Sequence, residues 1–249
     1  MLIPSHPQTS IEADAVTTTR AESLGVFYTT LFERYGDDAR ALGHADRVSQ
    51  YERFEMMARL FAHERRPFTV HEIGCALGHF GEFLRERYPL ARFSGSDIQE
   101  PFIEVCRRKF PDGEFVLRDI AAVPAEGRYD YVVTCLFNCP GGTPRPEWQQ
   151  FVYSMLSAMY KLADRGIATT CLTTYYDPGR NRPDLYYQDE KALMDFTAAH
   201  LSRHFVLDME GPLYEYALRV YRHAYVRRRH PEPELSKYFK ALDIEGTPA

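Results

Sequence analysis

No run of about 18 apolar residues occurs in this 249-residue chain, so no membrane-spanning helix is expected. The N-terminus, Met1 to Thr19, lacks a basic start followed by an apolar core. It therefore does not read as a secretory leader, and its Pro, Ser and Thr content reads as a mobile arm. The five cysteines, Cys75, Cys106, Cys135, Cys139 and Cys171, form no paired framework. They sit mostly in apolar or strand contexts, as reduced thiols of a cytoplasmic protein do. Charge of one sign is scarce too: 30 basic against 35 acidic residues leave a net charge of −5, which implies no general attraction to nucleic acid. The run Arg227 to His230 reads as a solvated face. There are no repeats and no low-complexity tracts. Metal-ligand spacing is missing: His63, His71 and His79 are not ligand-spaced, and Cys135 and Cys139 flank a strand end without a second pair. His200 and His204 need not share a face, because a strand is expected to begin near His204. No Ser-His-Asp or Cys-His set can be assembled.

What the chain does have is apolar material, 45% of residues, with 14% aromatic, enough to fill the core of one α/β domain with an extension. Its most informative stretch is Thr69 to Gly81. A β-branched, apolar run ends at Glu72, a glycine-containing turn follows, and an amphipathic helix runs from Phe80 to Tyr88. Strand, tight turn and helix open a nucleotide-binding α/β sheet. Gly74 and Gly78 let the backbone turn sharply and let a ligand approach the main chain. The helix start offers free N–H groups. Laid on Gly74, the dinucleotide pattern G-x-G-x-x-G meets Ala76 and His79 where it needs glycine, so a pyrophosphate would lack its usual cradle.

The pattern acid-x-Gly-x-x-x-Gly instead resembles motif I of the class I S-adenosyl-L-methionine (SAM) methyltransferases, with Ala76 where a third glycine is common. The rest of the chain fits that resemblance. A short strand, Arg92 to Ile98, brings Asp97 about 20 residues beyond the turn, where an acid commonly takes ribose hydroxyls. A helix follows, Pro101 to Phe110, and a third strand, Glu114 to Arg118, ends at Asp119 and Ile120. In the family an acid here faces the adenine amino group, and an apolar neighbour packs on the ring; Asp119 and Ile98 stand at the matching positions. Tyr129 to Asn138 resembles motif IV, which includes Phe137 and ends at the reacting centre. Each acid taken alone could merely cap a helix.

The resemblance implies a Rossmann-like seven-stranded sheet of order 3-2-1-4-5-7-6, its last strand antiparallel, under an N-terminal helical cap. The expected later elements are helices at Trp148 to Ala163 and Gln188 to Ser202, and strands at Gly166 to Thr174, Phe205 to Met209 and Tyr216 to Tyr221. Four parts are expected: an arm at 1–20, a helical cap at 21–66, the SAM-binding core at 67–226 and a tail at 227–249. Within the cap, Leu24, Phe27, Tyr28, Leu31 and Phe32 recur at helix spacing, and a second helix is expected from Ser49 to Phe61. Such helices either fold over the cofactor or pack into the core, and both can hold. The segments at Ala41 to Gly43, Ser49 to Phe54, Thr174 to Tyr176 and Pro212 to Glu215 look like a bacterial branch acting on small molecules.

The cofactor implied is SAM, expected against Glu72, Gly74, Cys75, Ala76, Gly78, Asp97, Ile98, Asp119, Ile120 and Phe137, with Gln50 and Arg53 at its tail. Arg53 reads as a clamp for the carboxylate of SAM or of a substrate, or else as a surface charge. Phe27 and Tyr28 are expected to line a substrate pocket as a lid. Three residues are candidates at the reacting centre: Asn138, which is otherwise a turn residue, and the pair Tyr175 and Tyr176, whose rings could stabilise a sulfonium by roughly 0.5–2 kcal/mol. Metal is not expected. The expected partner is a small-molecule substrate, without nucleic acid or membrane, and the protein is expected as a monomer or homodimer in the cytoplasm. Two reactions remain open. One is in-line methyl transfer to a small metabolite of secondary metabolism, with His79 or Asp177 as candidate base. The other is an azetidine-2-carboxylate synthase reaction, in which the SAM α-amine closes on its own γ-carbon and methylthioadenosine leaves.

Overall fold

The computed structural model describes residues 13–120 and 128–239, except for the side chains of 13–21 and 23. Seven strands form one sheet: β1 (Phe68–Ile73), β2 (Ala91–Asp97), β3 (Phe115–Leu117), β4 (Tyr129–Thr134), β5 (Ala163–Leu172), β6 (Phe205–Asp208) and β7 (Glu215–Tyr221). Their order is β3-β2-β1-β4-β5-β7-β6. The first five are parallel, and β7 runs antiparallel between β5 and β6. This is the expected fold, down to the inserted antiparallel strand. β1 is buried at five of its six residues, as a central strand covered on both faces must be.

Helices cover both faces: α1 (Ala13–Tyr35), α2 (Arg47–Ala58), α3 (His79–Arg87), α4 (Glu100–Lys109), α5 (Arg145–Leu162), α6 (Glu190–His200) and α7 (His223–Arg229). α1 begins at Ala13, inside the span expected as an arm; residues 1–12 lie outside the described residues, as do 121–127 and 240–249. Among the described residues, no helix is long and apolar enough to cross a membrane.

The chain builds β1, β2 and β3 outward in one direction, then returns to lay β4 on the other side of β1. That reversal opens a crevice beyond the carboxyl ends of β1 and β4, where ligands of open α/β sheets bind. Two apolar cores hold the crevice walls in place. One packs α5 against the sheet through Trp148, Val152, Leu156 and Met159. The other joins Phe54, Met57 and Phe61 to Phe80, Phe83 and Tyr131. Much of the expected cap is therefore core, since α2 buries Phe54, Met56, Met57 and Ala58. α1 packs differently. Its Tyr28, Phe32 and Tyr35 lie in a small cluster with Leu77 and Phe102, which lays the helix beside the crevice.

α7 was not expected from the sequence. It is held by Tyr225, whose hydroxyl donates to Glu64 Oε1 at 3.0 Å beside Tyr131, which donates to the same oxygen at 2.6 Å. Arg227, Arg228 and Arg229 in its last turn are exposed.

Candidate active site

The turn between β1 and α3 alternates in hand. Gly74 has φ 74°, Ala76 φ 44° and Gly78 φ 73°, and these left-handed residues curl the chain tightly after β1. The backbone N–H groups of Gly74 and Cys75 donate to the Ser96 carbonyl at 2.7 and 3.1 Å. Ala76 N–H donates to Asp97 Oδ2 at 2.9 Å. The turn is thus laced to the end of β2. Gly95 permits this, since a Cβ there would strike Cys75 Cβ and Sγ.

A cavity opens over this turn. Glu72, Gly74, Cys75 and Ala76 line it from β1 and the turn, Asp97 and Ile98 from the end of β2, and Asp119 and Ile120 from the end of β3. Gln50 reaches it from α2 and Tyr28 from α1. Asp97 is 8% exposed. Burial raises its carboxyl to about 6, against the backbone N–H groups of Ala76, Gln99 and Ile98 that lower it. Burial also holds Glu72 well above the usual carboxylate range, with Cys106 and Asp97 adding to the rise. Glu72 Oε2 is buried without a hydrogen-bond partner among the described residues.

Part of the cavity lining is one apolar cluster. Leu136, Trp148, Phe151 and Met155 stand there with Ile120, and Trp148 is fixed by its Nε1–H donating to the Phe137 carbonyl at 2.9 Å. His44, Phe54, His79 and Cys135 also line the cavity. Burial, with Arg53 and His79 nearby, pushes His44 down to about 3, so its ring is neutral. Across the mouth, Tyr28 of α1 is hydrogen-bonded with Cys139 of the β4–α5 loop. Thr29 donates to Gln99 Oε1 at 3.4 Å, and Leu24 lies against the position where a Gly141 Cβ would project. α1 therefore roofs the crevice from β2 to β4.

Other candidates stand away from this cavity. Asn138 Oδ1 accepts the Leu172 N–H at 3.0 Å, which splices β5 to the β4–α5 loop. Tyr175 is 74% exposed. Tyr176 meets Tyr187 edge-on at 4.9 Å. Phe137 is fully buried in the core around α5. Gly78 caps α3 and admits Phe110 and Cys106 close to its Cα, so it shapes the turn rather than the cavity wall. Phe27 stands beside Tyr28, ring edge to ring, at 5.1 Å. Arg53 Nε donates to Glu215 Oε1 and Oε2 at 2.8 and 2.9 Å and its NH1 to the Ser49 carbonyl; a buried carboxylate needs that partner more than a ligand does. Of the two candidate bases, His79 does line the cavity but is bonded at both ring nitrogens, and Asp177 accepts from Tyr214 at 2.5 Å.

Sequence reasoning missed His44, Cys135, Leu136 and the α5 face. Trp148, Phe151 and Met155 recur at helix spacing, so that face was readable as apolar. Nothing local marks it as a ligand wall rather than core. His44 carries no sequence signal at all.

Residues 70–161 match the profile of a methyltransferase domain. Rv1506c, a Mycobacterium tuberculosis protein named as a methyltransferase, is 28% identical over 155 residues, which span 62% of this chain and 93% of the relative. The trans-aconitate 2-methyltransferase of Paracidovorax citrulli is 38% identical over 79 residues, but the match spans only 30% of that enzyme and 29% of this chain. Among solved structures, the N-methyltransferase NodS of Bradyrhizobium japonicum, in complex with S-adenosyl-L-homocysteine, superposes with a TM-score of 0.56 at 18% identity, covering 78% of this chain and 97% of NodS. The match over residues 70–161, together with these relatives, supports the class I SAM-dependent methyltransferase superfamily for the chain.

SAM is the cofactor of this superfamily, and the cavity's residues fit it. Glu72 Oε2, buried and unpartnered, is an acceptor placed to take an ammonium group. Asp97 accepts one backbone N–H at each oxygen, from Ala76 at Oδ2 and from Gln99 at Oδ1, which leaves lone pairs for two ribose hydroxyls. The apolar part of the lining suits a flat purine. When bound, SAM supplies an electrophilic methyl group on a sulfonium.

Proposed function

We propose that this methyltransferase passes the SAM methyl group in line to a small metabolite, in a cytoplasmic, secondary-metabolic role, as a monomer or homodimer. The roof formed by α1 carries this reading. Tyr28 and Leu24 lie over the cavity that Glu72 and Asp97 line, so an acceptor must fit beneath a helix. That suits a small molecule and disfavours a polymer.

The side chains contribute mainly alignment, whose benefit in such displacements reaches about 7–11 kcal/mol. They contribute little proton transfer. A general base works best with a pKa near the working pH. His44 is too weak a base at about 3. Burial raises both Tyr28 and Cys139, so each holds its proton. His79 lines the cavity but has both ring nitrogens engaged, and Asp177 is engaged with Tyr214. An acceptor that arrives with a free lone pair, a carboxylate or an unprotonated amine, matches such a site.

No observation favours the cyclisation. Its three residues, Asn138, Tyr175 and Tyr176, point to a hydrogen bond, solvent and another ring respectively. The deciding experiment is incubation of the purified protein with SAM, with and without pools of small carboxylic acids and amines. S-adenosylhomocysteine formed only with an acceptor supports methyl transfer. Methylthioadenosine formed from SAM alone overturns it in favour of cyclisation.

A further inference from the structure

Gln50 and His79 form a pair that the roles assigned so far do not use. Gln50 is 1% exposed and His79, the first residue of α3, is 4% exposed. His79 Nδ1 lies 3.2 Å from Gln50 Oε1, and Gln50 Nε2 is buried without a partner among the described residues. On the far side of the ring, His79 Nε2 lies 2.8 Å from Asp37 Oδ1. Asp37 also receives Lys109 Nζ at 2.8 Å, and Lys109 is held in turn by Glu82 at 3.0 Å and the Leu77 carbonyl at 3.0 Å.

This chain of contacts dictates proton positions. Burial would raise Asp37, but its hydrogen bonds from Lys109 and His79 outweigh that and hold it below the usual carboxylate range. An ionised carboxylate only accepts, so the proton facing it sits on His79 Nε2. Burial lowers His79 below the ordinary imidazole value, the Asp37 hydrogen bond opposing. The ring is then neutral and its Nδ1 is an acceptor. Two acceptors, Nδ1 and Oε1, cannot share a 3.2 Å contact. The amide resolves this by a half-turn, because its oxygen and nitrogen exchange places at no steric cost. Nε2 then donates to His79 Nδ1, and Oε1 takes the buried, unpartnered position in a side chain that lines the cavity.

We propose that His79 is a positioning residue that turns the Gln50 carbonyl toward the cavity, so that Gln50 and Glu72 together offer acceptors to the ammonium of the cofactor's amino-acid tail. Gln50 accordingly reads the amine of that tail and not its carboxylate. This rests on the SAM reading of the cavity.

Three measurements test it. In the ligand-free protein, the long-range ¹H–¹⁵N spectrum of the His79 ring is expected to show a protonated Nε2 and a bare Nδ1; a protonated Nδ1 overturns the proposal, whatever the ligand. In calorimetric titration with S-adenosylhomocysteine, Gln50→Glu is expected to bind at least as tightly as the natural protein. Gln50→Leu is expected to bind about tenfold more weakly, the loss of one hydrogen bond to a charged group. His79→Phe is expected to weaken binding similarly, and to add nothing in the Gln50→Leu background. A Gln50→Glu protein that folds but binds more than about tenfold more weakly overturns the proposal, because the amide would then face the carboxylate through its NH₂. Failure of the natural protein to bind S-adenosylhomocysteine would instead remove the SAM reading, and the ring spectrum would still decide the tautomer.

Discussion

The Asp97 carboxylate accepts the Ala76 backbone N–H at 2.9 Å, so the acid proposed to take the ribose also ties down the turn after β1. Its raised value, about 6, means that a fraction of the ligand-free protein is protonated at Asp97 near neutrality. Ribose hydroxyls donate to the ionised form and favour it, as an ammonium does for Glu72. Binding must therefore release protons, and affinity must fall as the pH drops through about 6. Calorimetry in two buffers of different ionisation enthalpy checks the release; a heat independent of buffer would contradict it. Asp97→Ala is expected to lose at least about a hundredfold in affinity, roughly two hydrogen bonds to a charged group.

Ala76 sits at φ 44°, where a Cβ costs roughly 1–2 kcal/mol. Ala76→Gly removes that cost, while the freer unfolded chain takes back about 0.4–1 kcal/mol. The net expectation is a small gain in stability, about 0.5 kcal/mol, and a rise of about 1–2 °C in the thermal midpoint. Differential scanning calorimetry reads this directly. A fall in midpoint would mean that the Ala76 methyl, packed beside Leu77 and Phe102, matters more than the backbone strain.

The sheet was legible because its signals are local. Glu72, Asp97 and Asp119 each stand at or next to the end of a short strand, and the turn signal between β6 and β7 sits where the antiparallel strand is inserted. Cavity residues that lie one step past a strand were legible for the same reason. Asn138, Arg53 and Tyr176 were not, because each is claimed by a partner distant in sequence: Leu172, Glu215 and Tyr187. α7 escaped notice because seven residues carry little helical signal of their own and depend on Tyr225 reaching Glu64. The composition of α1 announced a helix. That it roofs the crevice depends on Tyr28 meeting Cys139, a contact across more than a hundred residues of chain.

Tyr28 closes that roof with its ring and its hydroxyl. Tyr28→Phe keeps the ring and loses one neutral hydrogen bond, worth about 1 kcal/mol, so kcat/KM is expected within roughly sixfold of the natural value. Tyr28→Ala opens the mouth to water and frees the acceptor, and a loss of about a hundredfold in kcat is expected from misplacement alone. Stopped-flow release of S-adenosylhomocysteine should accelerate in Tyr28→Ala and stay unchanged in Tyr28→Phe. Equal kinetics in all three proteins would mean that α1 does not cover the ligand.

Arg53 and Glu215 make the decisive contrast between a structural and a ligand-binding cation. Their side chains are 16% and 2% exposed, and the guanidinium grips both carboxylate oxygens. Removing the cation alone strands a buried carboxylate, so Arg53→Met is expected to destabilise the fold by about 3–5 kcal/mol. Removing both charges avoids that penalty: Arg53→Met with Glu215→Leu is expected to recover most of the stability, since a buried pair replaced by apolar residues of similar volume is often neutral. If Arg53 served the cofactor's carboxylate instead, the double variant would fold but bind S-adenosylhomocysteine far more weakly. Urea unfolding combined with calorimetric titration separates these outcomes, and a recovered fold with unchanged affinity assigns Arg53 to the scaffold that joins α2 to β7.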